Sequence, residues 1–195
     1  MAQAKDKSKG KGDGNGAKKD AIALLKADHR QVEDWFEQFE KTESEVKKQD
    51  LATKICKALT IHTTIEEEIF YPAFLEATDD KDMHHEAEIE HEGAKRLIAE
   101  IEASSPDDEY FGSKVKVLSE MIKHHVKEEE QPDGMFAEAR ESEMDLKALG
   151  EQMAERKAEL EGGEVDSDDS DEGDEESPKG ERGGKDRGTV RASKR

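Results

Sequence analysis

Four histidines, His29, His62, His91 and His125, each interrupt a series of apolar residues that recurs at steps of three and four, the spacing of one helix face. A single histidine on such a face is usually a core residue hydrogen-bonded to a neighbour. Four in the same setting point to imidazoles gathered for one purpose, and metal ligation is the chemistry that suits them. Two are followed one turn later by a carboxylate, in His62-Thr-Thr-Ile-Glu66 and His125-Val-Lys-Glu-Glu129. Positions i and i+4 share a helix face, so Glu66 and Glu129 turn inward with the histidines. An unpaired carboxylate is costly there and needs a cation, a salt bridge or a proton. Each also stands in an acidic run, Glu66-Glu67-Glu68 and Glu128-Glu129-Glu130, which taken alone reads as a solvated face. Beside aligned histidines the metal reading prevails. Imidazole and carboxylate without thiolate suit iron, manganese or zinc, and carboxylates able to bridge favour two ions over one.

These side chains meet only if the elements bring them to one level. A first helix is expected from about Asp20, a natural N-cap, with Ile22, Leu25, His29, Val32, Phe36 and Phe39 on its inner face. A second, from about Val46, places Leu51, Ile55, Ala58, His62, Ile65, Ile69 and Ala73 inward, with Pro72 kinking or shortening it. A third follows the turn ATDDKD with His84, Ala87, His91, Ala94, Ile98 and Ile101, and a fourth follows SSPDDE with Phe111, Val115, Leu118, Ile122, His125 and Glu129. The fourth stops near Pro132 and Gly134. Leu146, Leu149, Met153 and Leu160 mark a further helix that packs outside or projects. The pattern predicts an all-α fold: an antiparallel up-down-up-down four-helix bundle with an additional C-terminal helix and disordered termini. In antiparallel neighbours, residues equidistant from the connecting turn lie at the same height. The midpoints between successive histidines fall at about 45, 76 and 108, all within the expected connections, and two residues of error displace a level by only about 3 Å.

Composition narrows the classes. Hydrophobic residues make up 32% of the 195 and charged residues 42%, so only part of the chain is expected to pack a core. Residues 1–19, rich in Lys and Gly, read as a disordered basic arm, 20–160 as the folded domain, and 161–195 as a disordered acidic-then-basic tail in which Ser167, Ser170 and Ser177 could accept phosphate. A net charge of -20 argues against nucleic acid or an anionic membrane as partner, and cations are the natural clients. The one cysteine, Cys56, excludes a disulfide framework and a thiolate cluster and suits a reducing compartment. Without an apolar leader or spanning run, a cytoplasmic location is expected.

The segments ADHRQV at His29, HTTIEEEIFYP at His62, EAEIEHEGAKRLI at His91 and HHVKEEE at His125, with the trailing FAEAR and DLKALGEQMAERK, resemble the hemerythrin-like HHE cation-binding domains over about Asp20 to Leu160. Matched one by one, the family's metal ligands fall on His29, His62, Glu66, His91, His125 and Glu129, with Glu66 and Glu129 as bridges. The resemblance implies two iron ions, ahead of manganese or zinc. It also implies binding of dioxygen or related small molecules, with roles in oxygen carriage, gas or redox sensing, iron handling or peroxide defence. Oxygen-carrying hemerythrins have a second histidine one turn before the third-helix ligand, where this chain has Ala87. One iron is then short of an imidazole, with water or a carboxylate such as Glu90 or Glu67 in its place, which weakens the case for reversible dioxygen carriage. His84 could help only from a distorted helix, and His85 and His124 lie off the stripes. Asp28 and Arg30 read as surface or outer hydrogen-bonding groups, and Trp35 and Tyr71 as aromatic core, with lining of the pocket as the alternative.

The leading expectation is a monomeric binding protein that holds or senses a small diatomic or peroxide ligand at a two-iron site, or senses and stores iron, with no turnover required. A peroxide-decomposing enzyme using the same site is the first alternative, and a metal-free helical interaction protein is the second. Glu-x-x-His on two helices would suggest ferritin-like oxidation, but only Glu88-Ile-Glu-His91 fits it. The phosphate-binding, nucleophile-elbow and zinc-protease patterns are missing.

Overall fold

The structure, a computed structural model, describes residues 19–78 and 80–162. The basic arm and the charged tail with its three serines lie outside these residues, apart from their innermost edges. Among the described residues every regular element is helical: α1 (Ala21–Lys41), α2 (Glu45–Ile65), a π-helical turn (Glu66–Phe70), α3 (Tyr71–Thr78), α4 (Lys81–Glu102), α5 (Phe111–Glu130), α6 (Met135–Glu141) and α7 (Leu146–Gly162).

The starts of the helices follow from local chemistry. Asp20, Ser44 and Asp80 cap α1, α2 and α4 by accepting from the backbone N–H of Ala23, Lys47 and Met83, which satisfies donors that have no partner inside the helix. The four long helices then pack around two apolar clusters. One holds Val32 to Phe39, Leu51 to Leu59, Ala94 to Ile101 and Phe111 to Val126. The other holds Ala21 to Leu25, Ile65 to Phe74, Ala87, and Met135 to Ala139. Chain direction between the clusters reverses from α1 to α2 and again from α2 to α4, and α5 starts in the first cluster, where α4 ends. His29, His62 and His91 each fall between the part of their helix that enters one cluster and the part that enters the other, while His125 stands beside Val126, the last residue of α5 in the first cluster, and α6 carries the chain into the second.

The second helix departs from the expected stripe. Its ladder widens at Glu66–Phe70, where the Tyr71 N–H bonds to the Glu66 carbonyl. A π turn adds a residue to the helix and rotates everything after it. The expected inward residues Ile69 and Ala73 are only half-buried, while Phe70, Tyr71 and Phe74 are buried. Pro72, which lacks an N–H and crowds the preceding turn, gives a physical reason for the wider spacing. Sequence reasoning also passed over α6, whose Met135, Phe136 and Ala139 are buried. Gly134 makes that corner possible, since a Cβ there would run into the Glu128 carbonyl. The C-terminal helix α7 lies against α1, α2 and the π turn, with Gly150 and Met153 buried. No described helix is long and apolar enough to cross a membrane.

Candidate metal centre

The six residues singled out by spacing come together. His29, His62, Glu66, His91, His125 and Glu129 are each no more than 4% exposed, and they form one polar layer between the apolar clusters. The imidazoles are arranged as two pairs. His29 Nε2 lies 3.1 Å from His62 Nε2, and His91 Nε2 lies 3.2 Å from His125 Nε2. Each carboxylate touches one imidazole of each pair. Glu66 Oε2 is 3.2 Å from His62 Nε2 and 3.5 Å from His91 Nε2. Glu129 uses both oxygens, Oε2 at 3.4 Å from His29 Nε2 and Oε1 at 3.6 Å from His125 Nε2.

The outer nitrogens explain why the Nε2 atoms point inward. His29 Nδ1 faces Glu130 Oε1 at 2.8 Å, His91 Nδ1 faces Glu67 Oε1 at 2.9 Å and His125 Nδ1 faces Glu90 Oε2 at 2.8 Å. A carboxylate accepts from the N–H, which fixes the tautomer with the proton on Nδ1 and the lone pair on Nε2. His62 is the exception: its Nδ1 is 3.7 Å from Asp28 Oδ2 and has no hydrogen bond. Glu67 and Glu90 were expected as substitutes for the imidazole missing at Ala87. They occupy this outer ring instead, on the side of each ring away from the centre. His84 does not join the centre; its ring stands edge-on to Tyr71 at 5.9 Å.

A centre so built is rich in buried acceptors. Both oxygens of Glu66 and Oε2 of Glu129 are buried without a hydrogen-bond partner. Burial, then the charge of Glu129, pushes the Glu66 carboxyl well above the usual carboxylate range, and burial likewise raises Glu129. Burial and the neighbouring imidazoles drive His29 well below the ordinary histidine value, and burial foremost takes His91 down to about 2. Burial works against charge on His125 as well, but Glu129 and Glu90 outweigh it and hold this imidazole above its usual range. Acceptors in such a cluster are stabilised by a cation more than by one another.

The donor set fits two cations that share carboxylates. Ligand atoms of His29, His62 and Glu66 lie within 4.8 Å of one another, as do those of Glu66, His91 and His125. Two donors bound at about 2.1 Å to a common ion stand about 3.0 to 3.4 Å apart at ordinary bond angles, close to the spacings within both imidazole pairs.

Two aromatic side chains complete the walls. Tyr71, which the sequence offers as core filling or as a wall of the pocket, brings its hydroxyl to 3.2 Å from His91 Nε2 and 3.5 Å from Glu129 Oε1. The π turn, which immediately precedes Tyr71, aims this hydroxyl there. The only signal in the sequence was Pro72, one residue beyond it. Phe136 of α6 stacks on His29, with ring centroids 5.9 Å apart and planes 8° from parallel. From α7, Lys157 Nζ binds Asp28 Oδ1 at 2.5 Å. Burial would raise the Asp28 carboxyl, but His62 and Lys157 hold it below the usual range. Arg156 of α7 pairs with Glu68 in the π turn at 2.7 Å.

Comparisons with known proteins bear on the family and the fold. Residues 20–139 match the family described as Hemerythrin HHE cation binding domain. A DNA nickase of Nostoc sp. (strain PCC 7120) is 30% identical over 110 residues, which are 55% of this chain and 30% of the nickase, so the matched segment spans under a third of that relative. In fold the chain is similar to the crystal structure of a hemerythrin HHE cation binding domain-containing protein from Mycobacterium kansasii. The TM-score is 0.62 at 21% identity, over 74% of this chain and 89% of that one.

Proposed function

This chain belongs to the hemerythrin HHE cation-binding family, and from that premise we propose that it is a non-haem iron-binding protein. In this reading His29, His62, Glu66, His91, His125 and Glu129 would hold two iron ions, for binding or sensing dioxygen, nitric oxide or a peroxide, or for handling iron itself. The observation that carries it is the placement of Glu66 and Glu129, each against one imidazole of either pair. Iron held there supplies coordination positions and one-electron redox chemistry for such ligands. The protein's own groups do the rest. The carboxylates on Nδ1 orient the rings and raise their basicity, the apolar clusters exclude water, and the Tyr71 hydroxyl is placed to donate a proton or a hydrogen bond inside the centre.

Peroxide decomposition is the second reading. It is supported by Ala87, which lines a cavity of about 320 Å³ that reaches His125 and Glu129. A histidine would occupy some of that space. DNA cleavage is left to the nickase: only 30% of it aligns here, and a chain of net charge -20 repels a phosphate backbone. We place the protein in the cytoplasm as a monomer, in keeping with its single cysteine, Cys56, which is buried with its thiol pushed up to about 12, by burial first, and so is inert.

The test is elemental analysis with an absorption spectrum, on protein purified under air and on protein reconstituted anaerobically with ferrous iron. The parent is compared with the His62→Ala, His125→Ala double variant. About two irons per chain in the parent, with ferric absorption that the double variant lacks, is the expected result. A helical, stable parent that takes up no iron would overturn the proposal in favour of an interaction protein.

A further inference from the structure

We propose that Glu90, His124 and Glu128 form an outer site for a divalent cation, and that this site loads the buried centre through the cavity beside Ala87. The inference rests on the reading of the centre as a metal site. Ligand atoms of the three residues lie within 4.8 Å of one another. His124 Nε2 is 3.4 Å from Glu90 Oε1 and 3.1 Å from Glu128 Oε1. His124 was set aside in the sequence because it lies off the stripe, and its side chain is 60% exposed. That exposure is what a receiving site requires, since an incoming ion must still shed its water.

The cavity leads from these residues to the centre. Glu90 and Glu128 form part of its wall, together with Asp80, Asp82 and Glu86, and its lining also includes His125 and Glu129. Glu129, which is 2% exposed, is also one of the carboxylates of the buried centre, so the cavity reaches from the outer residues to a group of that centre. Five acidic side chains around one opening attract cations and raise their local concentration. Glu90 joins the two sites, because its Oε1 faces His124 while its Oε2 holds Nδ1 of the inner ligand His125. A cation at the outer site is thus one carboxylate away from the imidazole that an entering ion meets. An imidazole with carboxylates is a donor set for ferrous or manganous ions.

The test uses the full chain freed of metal and a His124→Gln, Glu128→Gln variant, both positions being partly exposed. Ferrous iron is added anaerobically, and the rate at which it becomes resistant to a fast chelator is followed. Manganous ion is titrated separately, with the free ion counted by electron spin resonance. The variant should load more slowly by a factor of about 3 to 10, reach the same final iron content, and bind one weakly held manganous ion fewer than the parent. Equal loading rates, or equal manganous stoichiometry, would overturn the outer site. If neither chain retains chelator-resistant iron, the buried centre itself fails, a result distinguishable from failure of the port alone.

Discussion

His91 and His125 present Nε2 to Nε2 at 3.2 Å, while each gives Nδ1 to a carboxylate, Glu67 for the first and Glu90 for the second. With both Nδ1 atoms protonated, the pair keeps its contact by holding an extra proton on Nε2, or by sharing a cation. Burial foremost takes His91 down, while Glu129 and Glu90 hold His125 above its usual range, so of the two rings His125 takes such a proton more readily.

Metal binding should therefore displace protons. At pH 6.5 to 7, calorimetry in buffers of differing ionisation enthalpy is expected to show release of about one proton or more per chain as iron enters. Affinity should fall as the pH is lowered, because protons then compete for Nε2. Binding without any proton release would contradict the arrangement at His125.

Glu66→Gln should stabilise the metal-free chain at neutral pH while weakening iron binding. The folded-state carboxyl sits above its unfolded value, so its stabilising contribution is present below about pH 4.5 and is lost as the pH rises through the folded value. The amide carries no such dependence. In denaturant titrations without metal, the variant's advantage should grow from acid to neutral pH, reaching about 1 to 3 kcal/mol. An unchanged or lower stability at pH 7 would show that the carboxylate is not strained there.

Tyr71→Phe should leave the fold intact and iron content near that of the parent, since ring volume is conserved. Loss of the hydroxyl beside His91 and Glu129 is expected to cost the metal-free chain about 1 kcal/mol and to shift the absorption spectrum of the iron-loaded form with nitric oxide. Identical nitric oxide spectra in both chains would place the hydroxyl outside the ligand's reach.

Lys157→Ala tests whether α7 supports the centre from outside. Without the ammonium, Asp28 loses its partner at 2.5 Å and His62 loses a held neighbour. Iron affinity should drop by a factor of about 10, with the helical signal unchanged. An unaltered affinity would reduce α7 to packing alone.

Gly150→Ala should be destabilising. A Cβ at that position would lie 2.6 Å from the Lys19 carbonyl and 2.7 Å from the Ala21 nitrogen, where α7 crosses the start of α1. Overpacking against backbone costs about 1 to 3 kcal/mol, readable as a lower thermal midpoint in the metal-free protein.

Much of the centre was legible because helix geometry is nearly one-dimensional. The spacing His62 to Glu66 and His125 to Glu129 states which side chains share a face, and equal distances from the turns state which share a level. Periodicity stops being a guide where the period changes. A single π turn at Glu66–Phe70 moved burial from Ile69 and Ala73 to Phe70, Tyr71 and Phe74, and a seven-residue helix such as α6 is too short to show a stripe.

The sequence by itself determined the all-helical architecture, the four imidazoles at one height and the two carboxylates beside them, since each depends on residues a turn apart or on symmetric distances from a loop. Tertiary structure alone decided how the imidazoles pair, and that Glu67, Glu90 and Glu130 hold the outer nitrogens. Neighbours in one acidic run, such as Glu129 and Glu130, differ by about 100° around the helix. Which of them meets His29 Nε2 and which meets Nδ1 depends on how α1 and α5 are rotated against each other, and that rotation is set by the packing of side chains distant in the chain.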